Sequence, residues 1–150
     1  MQQHKHISIS AVVAVLSLMI FSSSVVNAQC RVFVRNTCVP ELRPYIHDGS
    51  YQAVMMGEGE EAEVYKTIFA GQQYRLFVCV DNTLPNVEFV VSDTRRNILF
   101  DNRRNNNVNF WNFKPESSQQ IKVTIRVPRS QRQGEMAHGC VGVLFGLLDQ

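Results

Sequence analysis

From Ile121 to Val127 the chain alternates without a break: Ile121, Val123, Ile125 and Val127 are separated by Lys122, Thr124 and Arg126. A strand turns successive side chains to opposite faces of its sheet, so this run offers one face to a core and one to water. Val87, Phe89 and Val91, set against Glu88 and Ser92, repeat the pattern after a turn signal, Asp81 to Asn86, that contains Pro85. Runs of this kind recur about every 8 to 12 residues between turn residues, which predicts an antiparallel sandwich or barrel.

Two runs, Tyr74 to Val80 and Val141 to Leu148, are apolar on both faces and are expected at the centre of a sheet or under a covering segment. Gly142 and Gly146 would let a ring such as Phe77, Trp111 or Phe113 lie against the second run. Ser50 to Met56, Glu63 to Phe69, Asn97 to Asp101 and Val108 to Phe113 read as further strands. Asp101 to Asn107 reads as an exposed hairpin loop of residues that tolerate positive φ. A short helix near Pro40 to His47 is the only helical candidate, and Pro44 weakens it. The expected fold is one all-β domain, a jelly-roll-like antiparallel sandwich of about 7–9 strands with one or two disulfides.

The N-terminus sets the compartment. His4, Lys5 and His6 precede an apolar stretch from Ala11 to Phe21, then Ser22 to Ser24, with Val26 and Ala28 at the positions a signal peptidase reads. Residues 1–28 are expected to be a signal peptide cleaved after Ala28, leaving residues 29–150 as the exported domain, periplasmic or extracellular. The apolar stretch is too short for a bilayer, which needs roughly 20 residues. A lipid anchor on Cys30 is disfavoured because Gln29, not a small residue, precedes it. Losing Lys5 lowers the net charge from +2 to +1, which removes any electrostatic case for nucleic acid or acidic lipid.

In an oxidising compartment Cys30, Cys38, Cys79 and Cys140 imply two disulfides, and spacing alone does not choose among three connectivities. Both Cys79 and Cys140 lie in strand-like runs, so Cys79 with Cys140 is preferred, leaving Cys30 with Cys38. A zinc site is disfavoured by the absence of any C-x-x-C pair.

Phe69-Ala-Gly-Gln-Gln-Tyr-Arg-Leu-Phe-Val-Cys-Val-Asp81, Val87 to Asp93, Ile98 to Asn102 and Gly139 to Gly146 together resemble small exported β-sandwich proteins of Bacteroidetes. Their order is more loosely similar to the bacterial pre-peptidase C-terminal domain. The resemblance implies a sandwich with an accessory or binding role and carries over no catalytic residue. The chain departs from the pre-peptidase pattern in having no attached protease, and the calcium site of some such domains finds no residue-by-residue match.

Catalysis has little to draw on. A nucleophile needs a base beside it, and past residue 28 only His47 and His138 are present. His138 stands two residues from Cys140, a disulfide candidate, while His47, Asp48 and Ser50 are neighbours in one turn rather than a convergent triad. The chain is read as a non-enzyme. Glu58, Glu60, Glu61 and Glu63, interleaved with Gly57 and Gly59, read as a solvated turn. Asp81, Asp93 and Asp101 end strands and are weak calcium candidates, with turn capping the ordinary explanation; no other cofactor is implied.

Arg95, Arg96, Arg103 and Arg104, with Asn105 to Asn107, form the most concentrated cationic, hydrogen-bonding segment, suited to an acidic glycan or protein patch, though such residues commonly only solubilise a loop. Trp111 is a candidate stacking platform, with burial in the core the plainer alternative. The expected function is a non-catalytic binding module of the cell envelope whose ligand, an envelope protein or a glycan, the sequence does not name. A structural or stress-related envelope protein is the alternative, and a secreted hydrolase a distant third.

Overall fold

The structure, a computed structural model, describes residues 25–130 and 134–148. Eight antiparallel strands form two four-stranded sheets. They are β1 (Ile46–Gly57), β2 (Glu61–Ile68), β3 (Tyr74–Val80), β4 (Glu88–Asp93), β5 (Ile98–Asp101), β6 (Phe110–Phe113), β7 (Gln119–Arg126) and β8 (His138–Leu147). One sheet runs β1-β8-β3-β6 and the other β2-β7-β4-β5. The all-β sandwich and its strand count match the expectation.

The alternation decides the layering. Ile121, Val123 and Ile125 of β7 and Phe89 and Val91 of β4 turn inward and meet Leu76, Val78, Val141, Val143 and Phe145 from the other sheet. Both doubly apolar runs are interior strands, as predicted, because β3 and β8 lie side by side at the middle of their sheet.

What covers their outer face was not expected. A continuous helical segment, α1 (Val25–Phe33), a π turn (Val34–Cys38) and α2 (Val39–Glu41), lies across β3 and β8. Its buried Val34 and Cys38, with Leu42 just past its end, pack on Phe77, Cys79 and Leu144. The helix expected at Pro40 to His47 is therefore corrected: helix ends where it was predicted to begin, and Ile46 already belongs to β1. The expected cleavage point between Ala28 and Gln29 falls within α1, and the apolar stretch before it lies outside the described residues.

The disulfide pairing is also corrected. Cys30 bonds Cys140 and Cys38 bonds Cys79, so each bridge pins the helical segment to an interior strand. Cys30 and Cys38 cannot meet on helix, since eight residues advance about 12 Å along its axis, beyond disulfide reach. Cys79 stands opposite Gly142, two residues along β8 from Cys140, so both cysteines face the helix rather than each other.

Gly142 of β8 admits the helical segment, and Gly146 the chain that follows it, rather than one of the expected rings. A Cβ on Gly142 would lie 2.5 Å from Cγ2 of Val34, and one on Gly146 would lie 2.8 Å from Cβ of Tyr45. Phe77, Trp111 and Phe113 are not the neighbours at either position.

Candidate functional site

One end of the sandwich is concave. The turn after β3 and the loop between β5 and β6 stand apart there, leaving a cleft of about 410 Å³. Val78, Leu84, Val87 and Phe89 line its depth, and Asn82, Asn86, Asn107 and Asn109 converge on it from these two connections. All four asparagines are exposed. A second hollow, lined by Thr37, Glu41 and Phe77, shares Val80, Asp81, Asn82 and Asn109 with the first.

Local hydrogen bonding holds this rim. Asn102, only 1% exposed, is the hub. Its Oδ1 accepts from the Phe89 N–H at 2.9 Å, and its Nδ2 donates to the carbonyls of Val87 at 3.0 Å and Val108 at 3.3 Å. One buried amide therefore ties both walls of the cleft, where an unpaired polar group would be costly. The Asn102 carbonyl also accepts from the Asn105 and Asn107 N–H groups, and Asn106 and Asn107 take positive φ of 55° and 52°. On the other side Asp81 Oδ1 accepts from Thr83 N–H at 3.0 Å, and Thr83 Oγ1 donates to the His138 carbonyl at 2.9 Å.

The loop expected at Asp101 to Asn107 is present, but its first two residues are buried rather than exposed. Asp101 accepts from Arg103 N–H, Nε and Nη2 at 3.0, 2.9 and 2.7 Å. The Arg103 hydrogen bonds hold its carboxyl below the usual aspartate range against the opposing cost of burial. Arg103 is thereby committed to an internal carboxylate. Arg104 is more exposed and approaches the same carboxylate at 3.9 Å. Arg95 and Arg96 lie in the turn at the far end of β5, so the four arginines do not form one surface. That expected patch is corrected by the length of a strand.

The three aspartates are separated too. Asp81 and Asp101 belong to the rim with the cleft, whereas Asp93 closes the turn at the opposite end. Asp93 Oδ1 accepts from Arg95 and Asn97 N–H, each at 2.8 Å, and Oδ2 from Asn97 Nδ2 at 2.7 Å. The Asn97 side-chain bond is the main cause of its lowered pKa. Each aspartate caps a turn, and no group of three or more metal-ligating residues is found among the described residues.

Trp111 is neither an open platform nor fully in the core. It is half-buried in a row of stacked rings, with centroids 5.3 Å from Phe100 and 4.0 Å from Phe113. Phe89 and Tyr74 extend the row at its two ends, closing the side of the sandwich between edge strands β5 and β6.

The other sequence candidates have local partners. His47 Nε2 donates to the Ser50 carbonyl at 3.2 Å, while Ser50 Oγ donates to Asp48, so no triad forms. Asp48 of β1 also binds Lys66 of β2, linking the two sheets. His138 Nδ1 donates to the Met136 carbonyl, and all four cysteines are in disulfides. The acidic run forms the corner between β1 and β2: Glu60 accepts from Gly57 N–H, and Glu58 from Ser130 N–H and Oγ. The sequence reading named Asn107 only as part of the arginine-rich segment and missed its convergence with Asn82, Asn86 and Asn109. Asn82, Asn86, Asn107 and Asn109 all sit in turns, and no periodic signal places separate turns at one rim.

No family model and no curated protein matches the chain. Seven chains match among solved structures. One is Aeromonas hydrophila PliG, a periplasmic lysozyme inhibitor of g-type lysozyme, at 15% identity and a TM-score of 0.44, over 64% of this chain and 84% of PliG. A similarity at this level carries neither family nor ligand to the chain.

Proposed function

We propose that this chain is an exported, non-catalytic binding module of the cell envelope that holds an uncharged, hydrogen-bonding segment of its partner in the rim cleft. The convergence of Asn82, Asn86, Asn107 and Asn109 over an apolar floor carries this reading. A carboxamide both donates and accepts, so four of them suit backbone amides or sugar hydroxyls better than a charged group. The absence of a free cysteine, and the engagement of both ring-nitrogen contacts with carbonyls, support a binding role over a catalytic one. Two disulfides support export.

A photo-crosslinking residue at Asn86, in protein exported by its native host, should give a discrete envelope adduct. The adduct should weaken when Asn82 and Asn109 are both changed to Ala, and the same probe at Gln72, on the opposite rim, should give none. Equal labelling from both rims, or labelling unaffected by N82A/N109A, refutes the cleft as the contact. A structural reading would instead use the bare edges of β1 and β2. Glu61, Glu63 and Lys66 on β2 and the irregular register of β1 between His47 and Tyr51 weigh against edge pairing.

A further inference from the structure

At the opposite end from the rim cleft, the outer face of the β2-β7-β4-β5 sheet holds a smaller hollow of about 200 Å³. It is lined by Tyr65, Asp93, Thr94, Arg96, Gln120 and Lys122 among others. Tyr65 is 58% exposed, so its ring is open to a ligand. Its hydroxyl donates to Glu63 Oε2 at 2.9 Å, and Lys122 Nζ donates to Glu63 Oε1 at 2.7 Å, so one carboxylate sets both groups. Asp93 is saturated by its own turn. That leaves Arg96 as the cation of the hollow with no ion pair among the described residues.

Arg96 is also held in an uncommon place. The Asp93 carbonyl accepts from Arg96 N–H at 3.0 Å, and Arg96 then takes a φ of +67° before β5 begins. A turn followed by a left-handed residue normally uses glycine or asparagine at that position. An arginine there works against local backbone preference, and the side chain it brings lies in the hollow.

We propose that this hollow binds an acidic sugar residue, its ring against Tyr65, its carboxylate or sulfate on the Arg96 guanidinium, and its hydroxyls on Gln120 and Thr94. A guanidinium matches a carboxylate or sulfate through paired donors. A hollow of this size admits one ring rather than an extended peptide. The site does not depend on the rim cleft or on what that cleft holds.

The test follows amide shifts of the isotope-labelled exported domain during titration with trigalacturonate, the neutral galactose trisaccharide and sodium sulfate. Trigalacturonate should shift Tyr65, Arg96 and Gln120 together, with the neutral trisaccharide about tenfold weaker or worse. Arg96→Gly should weaken trigalacturonate binding at least about tenfold while leaving the melting temperature unchanged or raised, because glycine suits the turn. Arg96→Asn should do the same, and Tyr65→Ala should weaken binding without unfolding. Wild-type affinity in Arg96→Gly, equal binding of the neutral sugar, shifts at the rim cleft instead, or sulfate reproducing the full pattern would each overturn the proposal. So would a marked loss of melting temperature in Arg96→Gly, which would make the arginine structural.

Discussion

The two outer faces of this sandwich are built on opposite terms. On the β1-β8-β3-β6 sheet the outward side chains include Phe77, Cys79 and Leu144, all buried, and two covalent bonds hold a helical segment over them. On the β2-β7-β4-β5 sheet the outward positions include Glu61, Glu63, Tyr65, Gln120, Lys122 and Thr124, and no segment among the described residues covers them. Strand composition explains the difference. β3 and β8 are apolar on both faces and need cover, whereas β2 and β7 alternate and are finished once one face is buried. The first face is fixed by packing and crosslinks; the second is free to carry a ligand.

The sharpest way to break this contrast is to unpin the helical segment. In the chain-entropy account, closing a loop of 110 residues is worth about 5 kcal/mol and one of 41 residues about 4 kcal/mol. Paired alanines at Cys30 and Cys140 should therefore cost slightly more, in urea denaturation, than paired alanines at Cys38 and Cys79. Either variant should also bind a hydrophobic dye more strongly as Phe77 and Leu144 lose their cover. If both pairs of alanines cost less than about 1 kcal/mol, well below the range for a native disulfide, the covered face does not depend on its pins.

A smaller effect tests the packing beneath. Gly142→Ala would place a methyl group 2.5 Å from Val34 Cγ2, and the branched side chain has little room to turn away. Overpacking of this kind costs about 1–3 kcal/mol. In the double variant with Val34→Ala the two penalties should fall short of their sum, as expected for residues in contact. Strict additivity would show that the π turn does not bear on β8 at this point.

Much of this architecture was legible in the chain. The alternation of Ile121 to Val127 set β7 and its inward face, and the unbroken apolar runs placed β3 and β8 inside a sheet. The helical segment was not legible as helix, because Asn27, Gln29 and Arg31 interrupt any plain apolar stripe and the stretch expected to be a signal peptide runs directly into it. A signal was nevertheless present: Cys30, Val34, Cys38 and Leu42 recur every fourth residue and are all at most 1% exposed. At ordinary helical pitch such a spacing drifts about 40° per step. The π turn at Val34–Cys38 holds more residues per turn and offsets that drift. The stripe also rules out the bond between Cys30 and Cys38, since two cysteines on one face of a helix must look across to the sheet, but it leaves open which strand cysteine each one meets. The candidate sites were less legible, because strand length separated Arg95 and Arg96 from Arg103 and Arg104, while Asn102 looked like one polar loop residue among several.

Acid should act on both ends of the molecule through Asp101 and Asp93. Each carboxyl is lowered, by the Arg103 bonds and the Asn97 bonds respectively. A lowered folded pKa means the contribution is complete above the ordinary aspartate value of about 3.9. It is lost as pH falls through the depressed folded value. Melting temperatures measured from neutral pH downward should fall through that window, and Asp101→Asn should show a lower neutral plateau with a shallower acid limb. An unchanged acid limb in both Asp101→Asn and Asp93→Asn would mean the rim turns do not couple proton uptake to folding.

The smallest expected effect belongs to the uncovered face. Glu63 accepts from Lys122 and from Tyr65, and these bonds lower its own pKa while raising that of Lys122. The same geometry in a buried site would matter greatly to stability. Here water reaches every partner, and solvent screening together with the entropy of fixing long side chains removes most of the gain. Glu63→Gln should leave the melting temperature indistinguishable from wild type at both low and physiological salt, while loosening the positions of Tyr65 and Lys122. A loss comparable to that of Gly142→Ala would show that the bare face is structural after all, and the contrast between the two sheets would then be one of composition alone.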